Sequence, residues 1–116
     1  GIKKGVVGYV SNGGCRDTDE VIRQEVPFWT PRCVQPMVQM RLQFDDMQCP
    51  VDIGGVAVHP GDVVVADGDG VIVVPRDAAM EVAHYANREH RSDMKTRRRL
   101  YDSLGMEPDE TVADEG

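Results

Sequence analysis

The sequence predicts an α/β protein. Three observations support this: short apolar runs separated by glycine-rich turns, two wholly apolar four-residue runs in the middle of the chain, and one long amphipathic segment near its end. Short apolar runs bounded by turn residues are typical of strands, whereas an apolar stripe that repeats every three to four residues is typical of a helix. At 116 residues the chain has the size of one domain.

Composition narrows the class of protein. The chain carries 13 Lys and Arg against 20 Asp and Glu, a formal net charge of −7, and 41% of its residues are hydrophobic. These fractions are those of a globular protein without a membrane span. The acidic balance argues against nucleic acid or an anionic membrane as partner, because both are polyanions. Three cysteines without a short paired spacing indicate free thiols, so we expect a cytoplasmic location.

The first third of the chain predicts a strand, a sharp turn and a short helix. Residues 6–10 form an apolar run that is typical of a buried strand, and the Ser-Asn-Gly-Gly sequence at 11–14 ends it. Residues 17–25 predict a short helix, since carboxylates in its first turn suit the helix dipole. We expect Val21 and Ile22 on the buried side of this helix.

The middle third predicts extended segments. Prolines make residues 28–40 irregular. Alternating polar and apolar side chains over residues 39–44 indicate a half-exposed strand. Residues 51–53 and 56–58 predict a hairpin whose two-residue turn is Gly54 and Gly55. Residues 63–66 and 71–74 predict two further strands joined by a tight turn, and their wholly apolar sequences indicate that both faces are covered.

The last third predicts one long helix, from about residue 77 to 104. Asp77 is a suitable N-cap and Gly105 a suitable end. An apolar stripe supports the first turns, formed by Ala79, Val82, Ala83 and Ala86. Residues 88–99 are strongly basic and lose that stripe, which leaves two interpretations: a solvated helix face, or a helix that packs on a neighbouring subunit. We expect residues 106–116 to be a loose acidic tail.

The turn at residues 11–14 is the main candidate site. Backbone N–H groups at a glycine-rich turn that opens into a helix favour anions. Arg16 could clamp a carboxylate and stabilise an enolate oxygen, and Asp17 could hold a hard cation such as magnesium. The alternative is a surface ion pair between these two side chains. The turn matches neither the P-loop nor the dinucleotide-binding pattern.

Two segments resemble the RraA-like family of class II pyruvate aldolases and oxaloacetate decarboxylases. The first is residues 8–20 (GYVSNGGCRDTDE), which contains the family's Arg-Asp pair followed by an acidic residue. The second is residues 54–75 (GGVAVHPGDVVVADGDGVIVVP). The resemblance implies a β/β/α swivelling-domain fold over residues 1–105. It also implies a homotrimer or homohexamer with sites between subunits.

The resemblance also implies roles for individual residues. Asp17 would hold Mg²⁺ or Mn²⁺, Arg16 would bind the pyruvyl group and steady its enolate, and Asn12 and Gly13 would help to bind the substrate. Glu20 would support the metal site from just outside the ligands.

A carboxylate from the neighbouring subunit's last helix is expected near the metal. Asp93 matches that position best and Glu89 is the second choice, although Asp93 could instead pair with Arg97 one turn later.

The chain departs from the family pattern at its start. The family's chains extend further on the N-terminal side, where a backbone-amide loop holds the substrate carboxylate. We therefore expect this chain to be the C-terminal portion of a longer fold, or to assemble with another chain that supplies the N-terminal half. The predicted function is metal-dependent cleavage of a C–C bond in a small 2-oxo acid; the alternative is a non-catalytic binding module of the ribonuclease-inhibitor type.

Overall fold

The computed structural model describes residues 2–112, which fall into two compact units, Gly1–Arg76 and Asp77–Gly116. In its described part the first unit contains three two-stranded sheets and a short helix, and the second contains a long helix followed by a 3₁₀ turn. The combination confirms the predicted α/β class. Among residues 2–112, no helix is both long and apolar enough to cross a bilayer.

The first sheet is a parallel pair, β1 (Tyr9–Val10) and β2 (Phe28–Trp29), connected through helix α1 (Thr18–Arg23). The strand predicted at 6–10 is therefore real but shorter. The Tyr9 and Phe28 rings stack with centroids 5.7 Å apart. Gly8 lies close to the Trp29 side chain, since a Cβ at that position would be 3.1 Å from the Trp29 ring.

The predicted glycine hairpin is confirmed. Strands β3 (Val51–Ile53) and β4 (Val56–Val58) pair in antiparallel register. Gly54 and Gly55 have φ values of 64° and 85°, which is the left-handed conformation that a two-residue turn of this type requires. The Asp52 carboxylate accepts a hydrogen bond from the Gly55 N–H at 3.0 Å and fixes the turn.

The second predicted hairpin is also confirmed, with β5 (Val63–Ala66) paired to β6 (Val71–Val74). Its turn is closed by the Asp67 carboxylate, which accepts hydrogen bonds from the N–H groups of Asp69 and Gly70 at 2.9 and 3.3 Å. The expectation that both faces are covered is not met within residues 2–112. Val65 and Ile72 lie opposite each other and are 51% and 60% exposed.

Two local predictions in the first unit are wrong. Residues 39–44 form a turn and loop instead of a strand; Met40 adopts a φ of 61° and its side chain is fully exposed. Alternation alone does not make a strand, because a strand also needs a neighbour with which to share its hydrogen bonds. In α1, Val21 is half-buried as expected, but Ile22 is 72% exposed.

The long helix, α2, spans Ala79–Leu104 and ends at Gly105 in the left-handed conformation, as predicted. Asp77 is not its N-cap: it lies inside a 3₁₀ turn, Arg76–Ala78, and Ala78 takes the cap position without a side-chain hydrogen bond. The predicted apolar stripe is present but is not covered within the described residues, where Val82 is 40% exposed.

The segment after α2 differs from the loose tail that was expected. Residues 106–112 turn back on the helix and end in a 3₁₀ turn, Glu110–Val112. Val112 is only 3% exposed. The Tyr101 hydroxyl donates to Asp109 at 2.7 Å, and the Arg97 guanidinium donates to Thr111. We call these bonds the tail–helix contact. Positions 113–116 of the predicted tail lie outside the described residues.

Candidate functional site

The glycine-rich turn after β1 is held by hydrogen bonds from three directions. The Gly13 N–H donates to the Ser11 hydroxyl at 3.0 Å, and the Gly13 carbonyl accepts from the Thr30 hydroxyl at 2.6 Å. The Asn12 side-chain amide donates to the Asp52 carbonyl at 3.2 Å, which joins the turn to the β3–β4 hairpin. Asn12 and Gly13, the predicted substrate-binding residues, therefore lie in a supported loop.

A short backbone bridge continues this support. The Cys15 N–H donates to the Arg32 carbonyl at 3.0 Å, and the Val34 N–H donates to the Cys15 carbonyl at 2.8 Å. Val34 packs directly across Gly14, where a Cβ would approach its side chain to 2.4 Å. Only glycine fits at position 14, so the sequence requirement here comes from packing and not from an unusual φ.

Arg16 and Asp17 emerge side by side from this bridge. Arg16 Nε lies 3.1 and 3.2 Å from the two Asp17 carboxylate oxygens, and Nη2 adds a third contact at 3.2 Å. The two side chains are 44% and 62% exposed. This is the surface ion pair that the sequence left open as an alternative. Its exposure also leaves both charged groups accessible to a ligand.

Asp17 occupies a strained position at the start of α1. Its φ of 57° and ψ of 40° lie in the left-handed region, which non-glycine residues seldom adopt. Its carboxylate makes no capping hydrogen bond, although its carbonyl accepts from the Glu20 N–H at 3.1 Å. The side chain is thus directed to Arg16 and solvent instead of to the helix. Strain of this kind is often found at functional sites.

A shallow cavity of about 720 Å³ opens beside this pair. It is bounded by two chain segments, which contribute Cys15, Arg16, Asp17, Thr18, Asp19, Glu20, Cys33, Val34, Gln35 and Pro36. The first segment supplies one arginine and three carboxylates, and the second is uncharged. Arg16, Asp17 and Glu20 of the predicted set therefore share one opening.

The donor chemistry fits a hard cation that retains water. Within residues 2–112, no three His, Cys, Asp or Glu side chains converge into a complete ligand set. Magnesium, however, commonly binds through only one or two carboxylates and keeps several waters. The exposed Asp17 carboxylate offers that kind of attachment. A soft metal that prefers thiolate or imidazole ligands has no such group of ligands in the described part of the chain.

Asp93 and Glu89 lie on α2, in the second unit. Asp93 Oδ2 is 3.0 Å from Arg97 Nε, although the direction of approach does not make a hydrogen bond. Glu89 pairs with Arg88 at 3.0 Å. Both carboxylates are thus in local ion pairs, and their role towards a neighbouring subunit stays a prediction.

The sequence did not identify the second wall of the site. Thr30, Cys33 and Val34 lie in a segment that was expected to be irregular, yet they support or line the turn. Pro31 and Pro36 were the available signal, since they keep the segment between them extended and able to bridge.

Two clusters away from this turn carry shifted pKa values. The pKa of Asp62 is lowered, chiefly because the His59 N–H donates to its carboxylate at 2.8 Å, with the Arg76 N–H adding a weaker bond. In the tail–helix contact, bonding to the Thr111 and Tyr101 hydroxyls lowers the pKa of Asp109. The same carboxylate raises the pKa of Tyr101.

Comparison with known proteins agrees with the features of this turn. The family model described as "RraA-like: Aldolase/RraA" matches residues 1–73. A protein of Halalkalibacterium halodurans named "Putative 4-hydroxy-4-methyl-2-oxoglutarate aldolase" is 27% identical over 86% of this chain and 47% of its own length. A protein of the same name from Alcanivorax borkumensis is 32% identical over 65% of this chain and 46% of its own length.

A solved structure extends the similarity to the fold. An uncharacterized protein from Pseudomonas syringae pv. tomato superposes with a TM-score of 0.73 at 29% identity, covering 91% of this chain and 52% of that chain. The chain therefore spans about half the length of these aldolase-named relatives and of this structural neighbour.

Proposed function

Because the chain belongs to the RraA-like family, we propose that it carries the arginine- and carboxylate-bearing part of a lyase that cleaves a C–C bond of a small 2-oxo acid. The observation that carries this proposal is the exposed Arg16–Asp17 pair on a supported glycine-rich turn. The aldolase names of several relatives support the reaction class.

Arg16 provides the charge that this chemistry needs. Breaking the bond next to a 2-oxo group leaves an enolate, whose negative charge must be stabilised as it develops. A guanidinium binds carboxylate and enolate oxygens through two parallel hydrogen bonds, which sets both orientation and charge. In the free chain Asp17 occupies that fork at 3.1–3.2 Å, so the substrate would take over hydrogen bonds that Arg16 already makes.

Asp17 is the residue that would hold Mg²⁺ or Mn²⁺. Such an ion, when bound, would act as a Lewis acid towards the substrate oxo group. Glu20, in the first turn of α1, adds negative charge near the same opening. Asn12 and Gly13 keep the turn in place, the former through Asp52 and the latter through Ser11 and Thr30.

The remaining parts of the site would come from outside the first unit. We propose that Asp93, with Glu89 as the second choice, serves the Arg16 site of a neighbouring subunit in a homotrimer or homohexamer. The alternative assembly is a hetero-oligomer in which another chain supplies the N-terminal half.

The test is magnesium-dependent decarboxylation of oxaloacetate by the wild type and by Asp17→Asn. Asparagine tolerates the left-handed backbone of position 17, so this change removes the charge without adding strain. We expect turnover to fall by roughly 100-fold, in line with the loss of one group that supports a developing oxyanion. Arg16→Lys should lose a similar factor, because lysine lacks the planar fork.

Asp19→Asn is the matched control, because it removes a carboxylate from the same helix turn without touching Arg16. It should keep nearly full activity. Calorimetric titration with magnesium in the presence of oxalate should give heat in the wild type and none in Asp17→Asn. Unchanged turnover in Asp17→Asn, or no metal-dependent heat in the wild type, would instead favour the non-catalytic binding module.

A further inference from the structure

We propose that Cys15 and Cys33 are a thiol pair that a small disulfide, such as oxidised glutathione, converts into an intramolecular disulfide. The bond would join the residue before Arg16 to the segment that forms the other wall of the cavity. The described cysteines are all free thiols in this structure, so the pair is in its reduced form. Formation of this disulfide does not depend on whether the chain has the proposed lyase activity.

The backbone places the two residues opposite each other. Cys15 and Cys33 are partners in an isolated parallel β-bridge, secured by the hydrogen bonds on either side of them at 3.0 and 2.8 Å. Neighbouring strands lie about 4.8 Å apart. Disulfides span Cα separations of about 4.4–6.8 Å, so the bridge holds these residues at a distance that a disulfide accepts.

The packing of the adjacent residues shows that the two side chains share a face. Val34 packs across Gly14, so residues 14 and 34 occupy one face of the bridge. Successive side chains along an extended segment point to opposite faces. Cys15 and Cys33 therefore both lie on the other face, and both line the same cavity.

Exposure sets the order of reaction. Cys33 is exposed, whereas Cys15 is 7% exposed and its Sγ donates to the Arg16 carbonyl at 3.3 Å. A dissolved oxidant therefore meets Cys33 first. Cys49 is half-buried and has no such bridge partner in the part of the chain that the structure describes.

The chemistry balances as two thiol–disulfide exchanges. The Cys33 thiolate attacks one sulfur of oxidised glutathione, which forms a mixed disulfide and releases one glutathione thiolate. The Cys15 thiolate then attacks the Cys33 sulfur and releases the second glutathione. Two protein thiols are oxidised, one glutathione disulfide is reduced to two thiols, and both protein protons end on the departing glutathiones.

The test treats the reduced chain with oxidised glutathione, blocks the remaining thiols by alkylation, and maps the links by mass spectrometry after trypsin digestion. Cleavage after Lys4, Arg16, Arg32 and Arg41 puts the three cysteines in separate peptides, 5–16, 33–41 and 42–76. We expect a linked pair of peptides 5–16 and 33–41. The Cys49→Ser variant should give the same product, and Cys15→Ser should stop at a glutathione adduct on Cys33.

The unfolded chain is the reference for specificity. Cys33 is slightly closer in sequence to Cys49 than to Cys15, so loop closure in denaturant should give the two pairs within about twofold of each other. In the native chain the yield of the Cys15–Cys33 disulfide should exceed that of the Cys33–Cys49 disulfide by about tenfold or more, because only the first pair is held together. A native wild-type chain that keeps glutathione on Cys33, or that pairs Cys33 with Cys49, would overturn the proposal.

Discussion

Asp17 combines a charged side chain with a backbone conformation that glycine would adopt more easily. Its φ of 57° places it in the left-handed region, and its carboxylate is held by Arg16 instead of capping α1. Left-handed aspartate costs less than a left-handed branched residue, but it is still uncommon. The position therefore keeps a carboxylate where the backbone alone would favour glycine, which agrees with the proposed use of that carboxylate.

Asp62 gives a residue-level prediction about pH. Its pKa in the folded chain is below the ordinary value of 3.8, mainly because the His59 N–H donates to it. A carboxylate with a lowered pKa stabilises the fold above its ordinary pKa, and that contribution disappears as the pH falls through the lower, folded-state value. Asp62→Asn should therefore lower Tm by several degrees near neutral pH, and its difference from wild type should shrink as the pH falls below 3.8.

The measurement is Tm by circular dichroism from about pH 7 to about pH 2.5. Asp69→Asn is the control, since only the backbone N–H of Asp69, and not its carboxylate, makes a hydrogen bond in the described structure. A constant Tm difference between Asp62→Asn and wild type across this range would contradict the argument.

The sequence was informative about residues whose surroundings are local and less so about the others. Arg16 and Asp17 are adjacent in the chain, so the sequence already offered their pairing as one of its two interpretations. Thr30 and Cys33 reach the same site from another segment, and no periodicity reports such a contact. Asp77 has the chemistry of an N-cap, but a 3₁₀ turn intervenes before α2 begins.

At the scale of elements, the hairpins were predictable because their turns specify them. Gly54 and Gly55 adopt positive φ, and Asp67 closes the other turn with its own side chain. The strand predicted at 39–44 does not form, because no neighbouring segment pairs with these residues in the described structure. Turn chemistry is contained in a few consecutive residues, whereas pairing depends on the rest of the fold.

The tail–helix contact gives a prediction at this scale. Tyr101→Phe removes the hydroxyl that donates to Asp109 at 2.7 Å while leaving the ring. We expect backbone N–H groups of residues 106–112 to exchange with deuterium roughly threefold faster, because the tail loses one charge-assisted hydrogen bond. Exchange within the first turns of α2 should not change.

Tyr85→Phe is the matched control for this measurement. Tyr85 lies on the same helix and packs against His84 and Arg88, but its hydroxyl has no hydrogen-bond partner among the described residues. Equal exchange of residues 106–112 in Tyr101→Phe and Tyr85→Phe would show that the hydrogen bond does not hold the tail.

At the scale of the whole molecule, little apolar surface is buried. Among residues 3–112, only the side chains of Cys15, Val74 and Val112 are buried hydrophobics. Two-stranded hairpins are marginal by themselves and need further strands or a helix against one face. The β5–β6 hairpin instead exposes the directly opposed Val65 and Ile72. Such a surface favours association with another polypeptide.

We therefore expect self-association of the purified chain that depends on this pair. Burying an isoleucine side chain is worth roughly 1.5–3 kcal/mol, or about tenfold or more in a dissociation constant. Ile72→Lys should weaken association by about that factor in sedimentation equilibrium. Met40→Lys is the control, because Met40 is another exposed apolar side chain but lies on a loop outside the hairpin. Association that is equally strong in wild type and Ile72→Lys would rule out this face as the interface.

The exposed β5–β6 hairpin also affects how much of the protein accumulates in a cell. In a newly made chain the β5–β6 hairpin presents exposed apolar side chains, and in the described structure no third strand pairs with either edge. Surfaces of this kind bind chaperones and promote aggregation. The time for which this hairpin stays exposed depends on how soon a partner surface covers it. The amount of this chain that accumulates should therefore follow the supply of that surface as much as the rate of its own synthesis.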